Sequence, residues 1–154
     1  MMGGGEHHEG TCHCGAVHVT LELSRPAEAV ELRACQCAFC RRHGACTMTD
    51  RDGRALIAMR EAGDLCRYQF GERTADFLLC ARCGVYIAAV VDGRLGTVNA
   101  AGLDIPAFRE HRAVAVDYSG ESGEERLRRR RARWMPMTIT VGAPAPVRQK
   151  EACL

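Results

Sequence analysis

Three cysteines within one hexapeptide, Cys35-Gln36-Cys37-Ala38-Phe39-Cys40, constrain this chain more than any other stretch. Packing alone gives no reason to crowd thiols so closely. A CxCxxC run sets two thiols two residues apart and a third one turn later. An extended segment bending into a tight turn can therefore aim all three sulfurs at one point. Two further pairs, Cys12-His13-Cys14 and Cys80-Ala81-Arg82-Cys83, lie on either side of it.

Composition decides how these thiols are to be read. A chain of 154 residues fits one domain that buries roughly 70% of its extended surface, so cysteine is not a substitute for a missing core. Apolar and charged fractions of 47% and 26% are those of an ordinary globular protein rather than a disordered or membrane one. No apolar run approaches the roughly 20 residues of a membrane helix. The opening residues, Met1 to Glu9, lack the basic and then apolar order of a secretory signal, and the expected location is cytoplasmic. In that reducing compartment clustered thiols point to metal rather than to disulfides. A net charge of +2 is too small for whole-surface steering toward nucleic acid, so neither nucleic acid nor a membrane is an expected partner.

Zinc is the metal such thiols suit, being redox-inert, thiolate-loving and usually four-coordinate. Seven clustered cysteines divide as four plus three: four thiolates close the shell of a structural site, and three leave a position open for water or substrate. Spacing leaves the pairing open. Joining Cys37 and Cys40 to Cys80 and Cys83 resembles a zinc ribbon with a long gap, and strands Cys12, Cys14 and Cys35. Joining Cys12 and Cys14 to Cys80 and Cys83 keeps Cys35, Cys37 and Cys40 together. A redox sensor built on the central cysteines is a further reading. Of the other cysteines, Cys46 and Cys66 are expected to be buried small apolar residues, and Cys153 an exposed thiol. His13 sits between two candidate ligands, but on a strand it would point to the opposite face.

Along the chain, residues 1–9 read as a flexible leader and 142–154 as a flexible tail, around one domain at 10–141. Val17 to Leu23 alternates as a half-buried strand does, and Ala29 to Cys37 reads as a second strand that delivers the central cysteines. Asp50 to Gly53 reads as a hairpin turn, whereas Ala55 to Ala62 has helix-forming composition. Cys66 to Phe70, Val85 to Val91, Leu95 to Ala100 and Val114 to Tyr118 read as strands, and Asp76 to Leu79 runs into a metal knuckle at Cys80 to Gly84. A short helix starts near Asp104, and Glu124 to Arg133 is helix-like. Six arginines lie between Arg126 and Arg133, preceded by Glu121, Glu124 and Glu125, and are expected to form a solvated helical face.

Three segments carry a resemblance: Gly10-Thr11-Cys12-His13-Cys14-Gly15-Ala16-Val17, Cys35-Gln36-Cys37-Ala38-Phe39-Cys40-Arg41-Arg42 and Phe77-Leu78-Leu79-Cys80-Ala81-Arg82-Cys83-Gly84. In order and spacing they look like the glutathione-dependent formaldehyde-activating enzyme family, which includes centromere protein V. The resemblance implies a mainly β, small zinc-binding β-sandwich-like fold of the Mss type with short helices. It also implies two zinc ions: a structural one on Cys12, Cys14, Cys80 and Cys83, and a catalytic one on Cys35, Cys37 and Cys40. The implied activity is of the carbon–sulfur lyase type, condensing glutathione or a similar thiol with formaldehyde or another small aldehyde to S-hydroxymethylglutathione or its analogue. Ala38 departs from the serine that many relatives carry. Arg41 and Arg42, just after the last ligand, are candidates to receive the carboxylates of a glutathione-like anion. The rival reading is a non-catalytic zinc-binding module that meets a partner through the arginine-rich segment.

Overall fold

Strand structure begins earlier in this chain than its composition suggests. In the computed structural model, which describes residues 5–142, Glu6–Thr11 is strand β1 rather than part of a flexible leader. It pairs antiparallel with β2 (Val17–Leu23), Glu6 opposite Leu23 and Thr11 opposite His18. A polar run without apolar periodicity is ordered here because β2 offers a full edge of backbone partners. The rest of the expected leader (1–4) and all of the tail beyond residue 142, with Cys153, lie outside the described residues.

β2 behaves as its alternation predicts. Val17, Val19, Leu21 and Leu23 are buried, while the intervening side chains are only part-covered. The strand expected over residues 29–37 is shorter: Ala27–Ala29 makes a 3-10 turn and β3 spans only Arg33–Cys35. After it come helix α1 (Ala38–Arg42) and the two-residue β4 (Thr47–Met48). The helix-forming stretch after Gly53 is a strand instead, β5 (Arg54–Met59), which pairs antiparallel with β2. Two flanking strands override its helical propensity, because each supplies hydrogen bonds that an isolated helix turn cannot.

The second half is a meander: β6 (Leu65–Tyr68), β7 (Asp76–Cys80), β8 (Tyr86–Val91) and β9 (Leu95–Asn99), each antiparallel to the next. Every residue of β8 is buried, as its continuous apolar character requires, and β9 is buried throughout, with Thr97 and Asn99 donating to Met48 C=O and Tyr86 C=O. A 3-10 turn at Pro106–Phe108 stands where the short helix was expected, and β10 (Val114–Val116) lies parallel to β3. Helix α2 (Gly123–Arg133) starts on a capping box, Ser122 and Glu125 each bonding the other's backbone N–H.

The last strand, β11 (Met135–Val141), follows α2 directly and lies in a stretch with no expected element. Met135 and Pro136 pair antiparallel with β9, and Met137 to Val141 run parallel to β5. By changing partners at Pro136, whose missing N–H suits the start of a strand, β11 joins the β1-β2-β5 side to the rest of one mixed sheet. The main apolar core lies between these parts. A smaller cluster, built on Phe77, Tyr86, Ala89, Leu95 and Trp134, carries Cys40 at its margin.

Candidate metal centres and an adjoining cavity

The two hairpin ends that face each other bring four sulfurs together. Cys12 and Cys14 sit in the turn between β1 and β2, and Cys80 and Cys83 in the turn between β7 and β8. Their sulfurs all lie within 4.8 Å of one another. Cys12 and Cys14 Sγ are 3.7 Å apart, and so are Cys14 and Cys80 Sγ. A tetrahedron of Zn–S bonds about 2.3 Å long has edges of about 3.8 Å, so this group already has the dimensions of a thiolate metal shell. Gly84, at φ 79°, takes the left-handed conformation that closes the Cys80–Cys83 knuckle, and its N–H bonds Cys80 C=O at 2.9 Å.

Backbone donors face these sulfurs. Val17 N–H donates to Cys12 Sγ at 3.3 Å. Burial pushes the Cys12 and Cys80 thiols up, Cys12 strongly. At Cys83 burial acts the same way, but the Cys14 and Val85 N–H groups and the neighbouring thiols outweigh it and bring the group down to about 7. Without a cation, four thiolates at this separation repel one another and are desolvated. With one, the same arrangement is favourable.

The second group, Cys35, Cys37 and Cys40, also has its sulfurs within 4.8 Å. β3 ends on Cys35, opposite Val116 of β10, and Gln36 N–H bonds Val116 C=O. The chain then turns so that Cys37 caps α1, its Sγ accepting from Cys40 N–H at 3.4 Å. Cys40 falls on the buried side of that short helix. Phe39, between the two ligands, holds the segment down: its ring stacks on Phe70 at 5.2 Å and meets Phe77 and Tyr86 edge-on. The Cys35 thiol is held down to about 5 by the hydrogen bond from Cys40 and, more weakly, by Cys37 N–H and the Arg129 charge. That same hydrogen bond, together with burial, pushes Cys40 up.

The two groups differ in what lies beside them. Cys35, Cys37 and Cys40 line a cavity of about 430 Å³, within the range of small-molecule sites. None of Cys12, Cys14, Cys80 and Cys83 reaches it. Met48, Phe77 and Trp134 form apolar parts of its wall. Tyr86 lines it too. Burial first, and then the charges of Cys40, Cys37 and Cys35, raise its pKa well above the ordinary phenol value, so it keeps its proton.

Several expectations are corrected. Arg41 and Arg42 are exposed and do not line the cavity, and Arg41 Nε instead donates back to Gln36 C=O at 3.0 Å. The arginines that do line it, apart from Arg33, are Arg126, Arg129 and Arg130 of α2. The helix is therefore not simply a solvated basic face. Their spacing of three and four residues, which places side chains on one helix face, was the available signal. Cys66 is exposed and Cys46 half-buried, so neither is the fully buried apolar residue expected. His13 is exposed, lies outside both sulfur groups and sits in a turn and not on a strand. Among the described residues, no helix is long and apolar enough to cross a membrane.

No protein-family model matches the chain. Among solved structures, the crystal structure of a Rhodobacter sphaeroides protein, a structural-genomics target, is similar at 41% sequence identity. The match covers 62% of this chain and 87% of that one, with a TM-score of 0.48.

Proposed function

We propose that this chain is a zinc-dependent enzyme of the carbon–sulfur lyase type, with the Mss-type fold of the glutathione-dependent formaldehyde-activating family. It condenses glutathione or a similar thiol with formaldehyde or another small aldehyde, in the cytoplasm. The observation that carries this reading is the contrast between the two sulfur groups: four thiols form a group that does not line the cavity, and three line it. A closed shell suits a structural ion, and an open one suits an ion that meets substrate.

The fit of the residues supports two zinc ions, one on Cys12, Cys14, Cys80 and Cys83 and one on Cys35, Cys37 and Cys40. When bound at the open site, zinc would supply a cation that keeps a thiol ionised at neutral pH, and three thiolate ligands make it a weak activator of carbonyls. The remaining chemistry falls to the chain. The thiol sulfur forms a bond to the aldehyde carbon, the carbonyl π bond breaks, and the proton lost from sulfur ends on the former carbonyl oxygen. No oxidant or reductant is needed. Tyr86, protonated and beside the three cysteines, is placed to donate to the oxygen as it gains charge. The apolar wall of Met48, Phe77 and Trp134 excludes water that would compete with that hydrogen bond.

The test is direct. Glutathione and formaldehyde are mixed with and without the zinc-loaded protein, and the rate of hemithioacetal exchange is followed by NMR exchange spectroscopy. Acceleration by protein that is lost in Cys37→Ser supports the proposal. Equal rates with and without protein overturn it, even if both metals are present.

A further inference from the structure

We infer that the α2 wall of the cavity is a carboxylate subsite with Arg130 as its main donor and Arg126 beside it, so that one of the two substrates is an anion. The inference rests on reading the cavity as the substrate site. It adds which end of a substrate the protein grips.

Arg130 stands apart from the other cations of its helix. Arg129 is bidentate to Glu121 at 2.9 to 3.1 Å and lies over the Tyr118 ring. Arg131 is bidentate to Asp92, and Arg126 donates to Tyr118 C=O at 3.0 Å. Arg130 donates from one Nη to Thr74 Oγ1 at 2.7 Å and rests over the Trp134 ring, 5.0 Å from its centroid. Its Nε is buried with no hydrogen-bond partner, and it makes no ion pair among the described residues. Burial, then the charges of Arg129 and Arg126, bring its pKa down to about 10, which leaves it cationic at neutral pH.

A buried cation with an unpaired N–H is costly unless an anion completes it. The acids that line the same cavity do not do so. The Glu72 carboxylate packs against Gly123 at the start of α2, and Asp117 accepts from Ser119 N–H at 2.9 Å. What remains is a guanidinium that lines the cavity holding the reactive sulfurs, with its Nε unpaired and, among the described residues, no carboxylate of the protein beside it. A carboxylate matches that geometry and charge. It can arrive on the thiol, as in glutathione, or on the aldehyde, as in glyoxylate.

The test is calorimetric titration of the full chain loaded with zinc. Two probe pairs are used: glutathione against its diethyl ester, and glyoxylate against acetaldehyde. The expected result is roughly ten- to hundredfold tighter binding of the carboxylate member of at least one pair, and closure of that gap in Arg130→Gln. The pair that shows the gap identifies the substrate that carries the anion. Arg130→Lys keeps the positive charge without Nε, and it makes the same comparison should the glutamine variant fail to fold. Zinc content and melting temperature are measured on each variant. Equal binding within both pairs overturns the inference, as does a gap that survives in both variants. If Arg130→Gln weakens glutathione and its ester equally, Arg130 serves thiolate charge balance and the inference also falls. A gap that depends on Arg130 without any acceleration of hemithioacetal exchange would retain the subsite and remove the lyase reading.

Discussion

The two sulfur groups should respond very differently to losing one ligand. The four-cysteine group ties the β1–β2 turn to the β7–β8 turn, and Cys14 and Cys80 lie 66 positions apart. Closing a loop of that length removes entropy from the unfolded chain worth about 4 kcal/mol, against a total stability of about 5–15 kcal/mol for a typical domain. Cys80→Ser therefore lowers the melting temperature by roughly 8–16 °C for a chain of this size, and it also leaves a hydroxyl in a fully buried place. Cys37→Ser acts on a segment already confined by β3 pairing and by the Phe39 ring contacts. Its effect should stay within about 1 kcal/mol, or roughly 4 °C. The measurements are thermal unfolding by circular dichroism and zinc per chain by atomic emission. Two zincs in the wild type, one in folded Cys37→Ser and a strongly destabilised Cys80→Ser are expected. If Cys37→Ser melts as low as Cys80→Ser, or the wild type carries a single zinc, the division into a structural and an open site is wrong.

Other perturbations probe separate links. Tyr86→Phe should lower the exchange rate at saturating substrate roughly a hundredfold with little change in KM, if its phenol stabilises the developing alkoxide; a change confined to KM would refute that role. Asp64 accepts from Arg82 Nε at 2.7 Å and from Glu61 N–H at 2.8 Å, and the Arg82 bond, against the effect of burial, holds its carboxyl below the ordinary range. Because the folded-state pKa is the lower one, its contribution is present above about pH 4 and disappears as pH falls through the folded value. Asp64→Asn should thus cost about 1–3 kcal/mol at pH 7, and the gap to wild type in urea melts should narrow below pH 4. Gly96→Ala would bring a methyl to 2.7 Å from Ala89 C=O and 2.5 Å from Met137 Cε, so a loss of about 1–3 kcal/mol in the same assay is expected. Ser122→Ala removes half of the α2 capping box and should cost about 1 kcal/mol.

What the sequence made legible was local or strongly periodic. The alternation in Val17–Leu23, the buried run of Tyr86–Val91 and the acidic start of α2 each follow from rules that act over a few residues. The two sulfur groups were equally legible as candidates, because ligand spacing is itself local, although only the resemblance separated the two possible pairings. Three things were hidden. Ala55 to Met59 has helical composition and becomes a strand because β2 and β11 lie on either side of it. Glu6–Thr11 has no apolar pattern, and its order comes from an edge elsewhere in the chain. β11 carried a weak signal in the alternation of Met137, Ile139 and Val141 with Thr138 and Thr140. The cavity was the least legible part, since it joins residues near position 40 to residues near position 130. A reading that looks outward from the ligands finds Arg41 before it finds Arg130.

The arrangement of ligands along the chain also sets an order of assembly during synthesis. All three thiols of the open group lie within residues 35–40, so they leave the ribosome almost together and can meet a metal ion while most of the sheet is still unmade. The closed group cannot form until Cys83 has emerged, and by then the open group has had time to fill. The site assigned to chemistry is thus the first that can be metallated. The four-cysteine site is the last, and its completion comes only when β8, the strand that follows its knuckle and pairs with both β7 and β9, is about to be added.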